Sequence, residues 1–552
     1  MKEIIEDNRK IIDRMILVVV ASILCIPLLS SFFYLYNNDG LTTIARASEA
    51  LKAIQKNGFY SQNVLISLAN NFGYAWGIFS ASLSTGILMA WAYITNNFIV
   101  SYKISTILLL ILSGMTMYSF AFRITGDRNI ALLSSILYMA FPYHLSTIYC
   151  RNNLEDLLIF VFMPFVSLGL YNIINYKGHT GFYALGMAGI LLSNMVLFFC
   201  TVIYSVVCLL IFRKSLSRES LKLLLINIII VILVTSFFWL PDICTRITGD
   251  YHVENITREE LTSDTLNLGL SISQIFVTRD GSYSVWELGP HMIIMLAFSW
   301  FAFKNISKEY QKIYTVFLVL GLVTLVLSTR YVPWKHLPKA FLLLRPWKLM
   351  EFVCLFFSFV CGLNMYVLIR KFNLKDVLII SVISMMYLVA LIRFIPFEDN
   401  IKDITEYKLG IISGKENEFV KGIEYLAYLP ENAYNNRFYI ATRDDTIHIL
   451  DGEAEISNVT KVGTKLSADI VTKSDSNKFE LPFIYYPGYE IRYDGMITKG
   501  YETENGFLGV ELKKDEGKIE VDYLGTKEMK IGTIISILGI VAAVVLSIKK
   551  YF

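Results

Sequence analysis

Apolar runs long enough to cross a bilayer, which takes roughly 17–25 residues, recur from the start of the chain to Ile395 and then stop. They fall near 15–36, 104–122, 129–148, 156–175, 182–194, 195–212, 221–240, 289–303, 313–328, 347–368 and 377–395, and a last one, 531–548, follows a long polar region. This pattern predicts a polytopic α-helical membrane protein with about twelve transmembrane helices. Residues 396–530 read differently: they are charged and Tyr-rich, with Asn-Asn, Asp-Gly and Asn-Gly turn signals between short alternating runs. Phe479 to Tyr486, the stretch at Tyr493-Asp494-Gly495, Phe507 to Leu512 and Lys518 to Tyr523 predict successive strands, with Lys513 to Gly517 as a hairpin turn between the last two. The expected organisation is a membrane module over 1–395, an all-β sandwich over 396–530, and a final helix with a short tail over 531–552.

Between the first two clear spans lies a long loop, 37–103. It opens on Asn38-Asp39-Gly40 and continues as an amphipathic run in which Ile44, Ala47, Leu51 and Ile54 recur at helical spacing, with Arg46, Glu49, Lys52 and Lys56 elsewhere on the wheel. Such a helix suits the headgroup plane, and Gly58 is placed to close it in the left-handed conformation. Asp39 is either a helix cap or a carboxylate poised where the chain leaves the bilayer. Arg46 and Glu49, three apart, are spaced to pair with each other.

Basic residues orient the spans. The loops Arg213-Lys214 to Lys222, Lys304 to Lys312 and Arg370-Lys371 to Lys375, and the Lys549-Lys550 tail, are expected in the cytoplasm, which puts both termini inside and 396–530 outside. The first half admits two arrangements. If 76–94 crosses and 182–212 is one long helix, the loop Arg151 to Asp156 is cytoplasmic. If 76–94 stays outside and 182–212 is a hairpin, that loop is outside too. The second choice puts Arg123, Arg128 and Lys177 inside against Lys103 and Arg151 outside, so charge counting does not decide it.

Composition narrows the function classes. The chain has 552 residues, 55% hydrophobic and 18% charged, which is too apolar for a soluble protein of its length. Its net charge of +3 is small and its basic residues form no stripe interleaved with aromatics, which argues against nucleic acid as a partner. Seven cysteines, mostly inside apolar spans, give no disulfide framework, and six histidines without ligand spacing give no zinc site. Met1 to Arg14 carries four basic and four acidic residues with no evident cleavage site beyond, so the first span reads as a retained helix.

Several short stretches, taken in order, carry a resemblance. Asn38-Asp39-Gly40, Arg46, the Gly58 turn, Phe72-Gly73-Tyr74 and Arg151-Asn152-Asn153-Leu154-Glu155 resemble the opening of GT-C-type membrane glycosyltransferases, in particular the YfhO-type membrane proteins of Gram-positive bacteria. Leu343-Leu344-Arg345-Pro346-Trp347-Lys348 is similar to the Phe-Pro-Trp-Arg segment before a late helix in that family. Glu424 to Pro430 is similar to its Glu-Tyr-Leu-Pro segment, and Tyr485-Tyr486-Pro487-Gly488-Tyr489 to its outer domain. Two departures stand out: Ser80-Ala81-Ser82 replaces the usual Pro after the Gly-Tyr region, and Lys348 replaces the Arg of the late motif, losing a bidentate fork for phosphate.

The resemblance implies inverting transfer of a sugar from a polyprenyl-phosphate-linked donor to a cell-envelope acceptor (a teichoic acid, polysaccharide or glycolipid) on the outer face of the cell membrane. It also favours the arrangement with 76–94 outside. Asp39 is then the base, Glu155 the second acid ahead of Asp156, and Arg46, Arg151, Arg345 and Lys348 the candidates for the phosphate. For Glu155 and Asp156 the plain alternative is a helix start meeting its dipole; for Arg151 it is pairing with those acids. For Lys348, Lys339 and Trp347 it is interface anchoring. His144 and His336 are expected to face the same outer space. Members of the wider superfamily divide over use of a divalent cation such as Mg or Mn; Asp39 and Glu155 would hold one here, and the metal stays open. Two rival functions are a transporter or flippase of lipid-linked precursors, which calls for ionisable residues at the bilayer midplane, and a non-catalytic assembly protein.

Overall fold

The computed structural model describes residues 2–29, 38–80, 83–261, 269–276, 288–372, 427–513 and 516–547; the expected span at 377–395 lies outside them. Among the described residues, five helices are long and apolar enough to cross a membrane: Phe98–Thr125, Leu154–Ile174, Lys308–Leu327, Pro346–Phe372 and Lys527–Ser547. Arg128–Met139 with Pro142–Tyr149 and Arg218–Val234 with Ser236–Thr248 are pairs bent by 43° and 70°, and they bring the total to seven if each pair is one span. The stretch expected to span at 289–303 is two short helices, Pro290–Ala297 and Ser299–Asn305, which meet at Phe298.

Side chains set where these helices start. Asn97 accepts hydrogen bonds from the backbone of Ile99 and Val100, Asp127 from Asn129 and Ile130, and Asn194 from Leu197, each satisfying amides that a helix leaves without partners. Close helix packing depends on small residues. A Cβ on Gly169 would strike the backbone of Tyr183, and one on Gly362 would strike Ser134, so the helices they sit on approach nearly backbone to backbone.

The bundle has two chemically distinct ends. At one, Arg128 clamps Asp13 of the first helix (2.7 and 2.8 Å), Tyr118 donates to the same carboxylate, and Arg123 holds Asn172 at 2.8 Å. At the other, Tyr102 lies beside Asp39, Ser84 reaches Glu155 and Lys348 binds Asp156. Along helix Phe98–Thr125, Tyr102 and Tyr118 are separated by about 24 Å at 1.5 Å per residue, close to a hydrocarbon thickness of about 30 Å.

This polarity shows which segments share an end of the bundle with Asp39. Helix Leu83–Thr95 starts where Ser84 meets Glu155 and passes at Asn96-Asn97 into the helix that carries Tyr102, so both its ends lie at the Asp39 end of the bundle. The apolar stretch 182–212 breaks into Gly181–Leu191 and Met195–Ile211, and its turn is tied to the start of helix Leu83–Thr95 by Leu83 N–H to Leu192 O at 3.2 Å. The stretch is a hairpin, and 151–156 sits at the same end as Asp39.

The amphipathic run folds as helix Asn38–Asn57, with Ile44 and Ala47 in the core of the helical module. Gly58 ends it with positive φ (97°), but its ψ of 175° is extended and not the left-handed helical value expected. The expected Arg46–Glu49 pair does not form in that way: Glu49 binds Lys52 at 2.8 Å, while Arg46 turns inward to Ser80.

The β region is built of nine strands: β1 His448–Asp451, β2 Ala454–Val462, β3 Lys465–Thr472, β4 Ser476–Ile484, β5 Tyr489–Tyr493, β6 Met496–Thr498, β7 Gly500–Glu502, β8 Phe507–Lys513 and β9 Glu516–Tyr523. They form two antiparallel sheets, ordered β1-β4-β8-β7 and β2-β3-β9-β5-β6. Leu466, Ile470, Phe479, Phe483, Val510 and Ile519 are among the residues filling the space between them. The hairpin expected between the last two strands is not there, because β8 and β9 belong to different sheets. Both strands bury alternate residues in the one core, so they face each other across it. Strands β1 to β3 and β7 are not among those the alternation predicts, and Asp494-Gly495, expected within a strand, is the turn between β5 and β6.

A buried ion pair inside this region stands beside its joint to the membrane module. Arg443 and Glu480, both fully buried, pair at 3.2 Å, and Tyr439, Thr503 and Asn505 complete the carboxylate's partners. Burial opposes the Glu480 charge, but these hydrogen bonds outweigh it and hold the carboxyl below its usual range. Loop residues 64–79 pack their aromatics against Tyr251, Leu429, Tyr486 and Phe507, and Ile484 N–H donates to Phe72 O at 2.8 Å. Phe59→Cys (59% exposed) and Tyr176→Cys (40% exposed) sit at opposite ends of the bundle. In a background without the half-buried Cys150, Cys200 and Cys244, a membrane-impermeant maleimide is expected to label Phe59→Cys from outside intact cells and Tyr176→Cys after permeabilisation alone. Labelling of both from one side contradicts the arrangement.

Candidate functional site

The site is assembled from four segments: the start of helix Asn38–Asn57, the loop before helix Leu154–Ile174, the turn at Ser80, and the start of helix Pro346–Phe372. Asn152 takes positive φ (51°), a conformation that Asn tolerates, and this turns the chain between helices Pro142–Tyr149 and Leu154–Ile174. Asn153 then does two things. Its Oδ1 caps the helix through Asp156 N–H at 2.9 Å, and its Nδ2 donates to Asp39 Oδ2 at 3.0 Å.

Arg151 is the centre of the group. Its Nη2 lies 2.5 Å from Asp156 Oδ2 and 3.5 Å from Asp39 Oδ2, and its guanidinium lies over the Trp347 ring at 4.1 Å. Lys348 Nζ takes the other oxygen of Asp156 at 3.1 Å. A second pair stands alongside: Arg46 Nη1 is 3.6 Å from Glu155 Oε1, binds Ser80 through both its side chain and its carbonyl at 3.1 Å, and lies over Trp76. Asp156 is fully buried, whereas the Asp39 side chain is 38% exposed and that of Glu155 28%. Both contacts to Asp39 fall on Oδ2, and its Oδ1 has no hydrogen bond among the described residues.

Burial works against the Arg151 charge, but Asp156, Tyr143 and Asp39 outweigh it and hold the guanidinium above its ordinary range. Arg46 is pushed down by burial, with Glu155 opposing that shift. Helices Phe98–Thr125, Leu154–Ile174 and Pro346–Phe372 all begin at this end, so three positive dipole ends add to the cations. The arrangement suits an anion held by fixed positive charge beside a carboxylate with a free oxygen.

Of the residues singled out in the sequence, the structure brings together Asp39, Arg46, Arg151, Glu155, Asp156 and Lys348. Arg345 is half-buried one turn before Lys348, whose N–H donates to Arg345 O at 2.9 Å. His144 does not face outward: it is fully buried, stacks on Phe160 at 3.8 Å and bonds Tyr138 O through Nδ1. His336 is exposed. Trp347 is buried beneath Arg151 and is no interface anchor. Among the described residues, no three His, Cys, Asp or Glu side chains are grouped to hold a metal ion. Asp39 and Glu155 each face a guanidinium, so the residues as arranged do not fit a resident divalent ion.

Sequence reading missed Asn153 as a ligand of Asp39, the platform role of Trp347, and Ser80 and Ser84. It also passed over Glu351, 1% exposed with neither carboxyl oxygen hydrogen-bonded, close to Asp156 and Lys348. Its spacing, one turn after Lys348 on the same helix, was the available signal.

With this geometry in view, comparison with known families is informative. Residues 76–398 match the family described as "6-pyruvoyl-tetrahydropterin synthase related domain; membrane protein", which is the YfhO-type family. The chain belongs to this family. The matched stretch includes Arg151, Glu155, Asp156 and Lys348 and leaves Asp39 and Arg46 before it. A relative from Lactococcus lactis subsp. cremoris (strain MG1363), described as an uncharacterized protein, is 23% identical over 590 aligned residues, covering 96% of this chain and 95% of its own length. As a family member the protein is a membrane protein with a mostly helical module and a separate β region.

The burial difference between Asp39 and Asp156 has a measurable consequence. Asp156→Asn strips two buried cations of their counter-charge and is expected to cost about 3–5 kcal/mol of stability, while Asp39→Asn at a part-exposed pair stays within about 1 kcal/mol. Thermal unfolding of the purified protein in detergent reads both; equal losses would contradict this division of roles.

Proposed function

We propose that the protein is an inverting glycosyltransferase of the GT-C type that moves a sugar from a polyprenyl-phosphate-linked donor to a cell-envelope acceptor on the outer face of the membrane. The observation that carries this reading is the Asp39 carboxylate: one oxygen is fixed by Asn153 and Arg151, and the other is free, beside a cluster of buried cations at the end of the bundle. That end lies opposite the one bearing Arg123, Arg128 and Arg370, which by the positive-inside tendency faces the cytoplasm.

In the reaction, Asp39 Oδ1 takes the proton of an acceptor hydroxyl as that oxygen bonds to the anomeric carbon. The bond from that carbon to the phosphate oxygen breaks, and its electron pair leaves on the phosphate. Arg151 and Lys348, fixed in advance by Asp156 and Trp347, offset the charge that grows on the leaving group. Asp156 therefore serves as a positioning residue, fully buried and already bonded to both cations. Glu155, part-exposed and held by Arg46 and Ser84, is the second acid and orients a sugar hydroxyl. Helix Asn38–Asn57 and helix Leu83–Thr95, which stays at one end, hold the site at the depth of lipid headgroups. The charges at that end, and not at the midplane of the spans, favour this reading over a flippase.

Asp39→Asn is expected to lower transfer by about 10²–10⁴-fold while the protein still inserts and folds. Envelope glycosylation in a strain carrying only that variant checks it, against a strain from which the protein is deleted. Full complementation by Asp39→Asn removes Asp39 as the base.

A further inference from the structure

Beside the Arg46–Glu155 pair stands a polar corner with no role so far. Asp242, in helix Ser236–Thr248, is 1% exposed; Arg246 Nε binds its Oδ1 at 2.9 Å, and its Oδ2 has no hydrogen-bond partner among the described residues. A buried carboxylate oxygen without a donor costs free energy until a water or a ligand supplies one. Arg246 is 25% exposed, reaches Glu254 at 3.5 Å and lies over Phe79 at 5.1 Å. Phe79 also meets Tyr251 edge-on at 4.7 Å and Tyr428, whose ring stacks on it at 5.1 Å and 14°.

Tyr428 closes the corner. Its backbone N–H donates to Tyr74 Oη and its carbonyl accepts from Tyr486 Oη, both at 3.1 Å, so the loop and the β region fix it from two sides. Phe79, on which its ring stacks, lies under Arg246 and directly precedes Ser80, which binds Arg46, so the Tyr428 ring is flanked by both groups. Tyr428 thus stands between the site described above and this corner, and makes them neighbours.

We propose that Asp242, Arg246 and Tyr428 form the acceptor subsite, and that it takes a neutral, hydroxyl-rich saccharide; this rests on the glycosyltransferase reading. Asp242 and Glu254 are balanced by Arg246 and by Lys339, whose Nζ donates to Glu254 O at 2.8 Å, so the corner lacks the excess positive charge that Arg151 and Lys348 offer a phosphate. The open oxygen of Asp242 calls for a hydrogen-bond donor, which a sugar hydroxyl is and a phosphate diester is not. The site therefore has a lipid-phosphate lobe and a sugar lobe joined at the Arg46–Glu155 pair.

Saturation-transfer difference NMR on the full-length protein in nanodiscs tests this, with methyl glucoside and methyl N-acetylglucosaminide as saccharide probes, glycerol 3-phosphate as an anionic control, and undecaprenyl phosphate as a separate ligand. At least one saccharide is expected to bind the wild type, and to bind about tenfold more weakly in Asp242→Asn and in Tyr428→Phe, the loss of one charge-assisted hydrogen bond. Tyr428→Phe keeps the ring and its stacking, so its loss reads the hydroxyl and not the fold. Saccharide binding that ignores both substitutions, or no saccharide binding to the wild type, overturns the subsite. If undecaprenyl phosphate still binds in a Lys348-dependent way, the glycosyltransferase reading survives that result. Saccharide binding that depends on Asp242, in a protein that does not bind undecaprenyl phosphate, upholds the subsite and removes that reading.

Discussion

One guanidinium, that of Arg151, has to satisfy two carboxylates that come from distant parts of the chain. Asp156 meets it at 2.5 Å from the helix that follows, and Asp39 at 3.5 Å from the far side of the bundle, with Trp347 beneath. Buried at 3% exposure, Arg151 needs that company, because an unpaired charge there costs several kcal/mol. The need dictates the topology around it. Helix Leu83–Thr95, which lies between them in the chain, must stay at one end of the bundle for Asp39 and the 151–156 loop to meet at all.

The β region takes part in the same construction. The aromatic joint of Phe72, Tyr74, Tyr251 and Tyr486 fastens the loop that follows helix Asn38–Asn57, and that loop supplies Trp76 to Arg46 and Phe79 to Tyr428. Arg443, paired with Glu480, also lies over Phe72 and Phe507, which locks the short helix Arg437–Thr442 onto the same joint. A change in how the β region seats would therefore reach Tyr428 and the Arg46–Glu155 pair through a few rings. The membrane helices supply fixed charge, and the extramembrane region supplies the wall that faces it.

Much of this was legible along the chain, and the exceptions have physical reasons. Apolar length alone gave the long spans, and alternation gave strands β4, β8 and β9. The order of Asp39, Arg46, Arg151, Glu155 and Lys348 picked out residues that the fold brings together. Partner choice was not legible. Arg46 has Glu49 within reach at helical spacing, yet Lys52 is equally placed for Glu49, and a buried Arg46 gains more from Glu155, Ser80 and Trp76. The placement of β8 and β9 in different sheets escaped because a polar stretch between two alternating runs looks the same whether the strands pair or face each other across a core. His144 carries no local mark of burial, and Asp242 and Tyr428 acquire meaning only when helix Ser236–Thr248 and the segment at 428 come together.

The most direct test reconstitutes the purified protein in liposomes and offers undecaprenyl-phosphate-linked hexoses and N-acetylhexosamines with a saccharide acceptor, following release of undecaprenyl phosphate. The account predicts release from at least one donor by the wild type, with inversion at the anomeric carbon, and none above background by Asp39→Asn. Retention of the anomeric configuration, or release by Asp39→Asn at the wild-type rate, would contradict it.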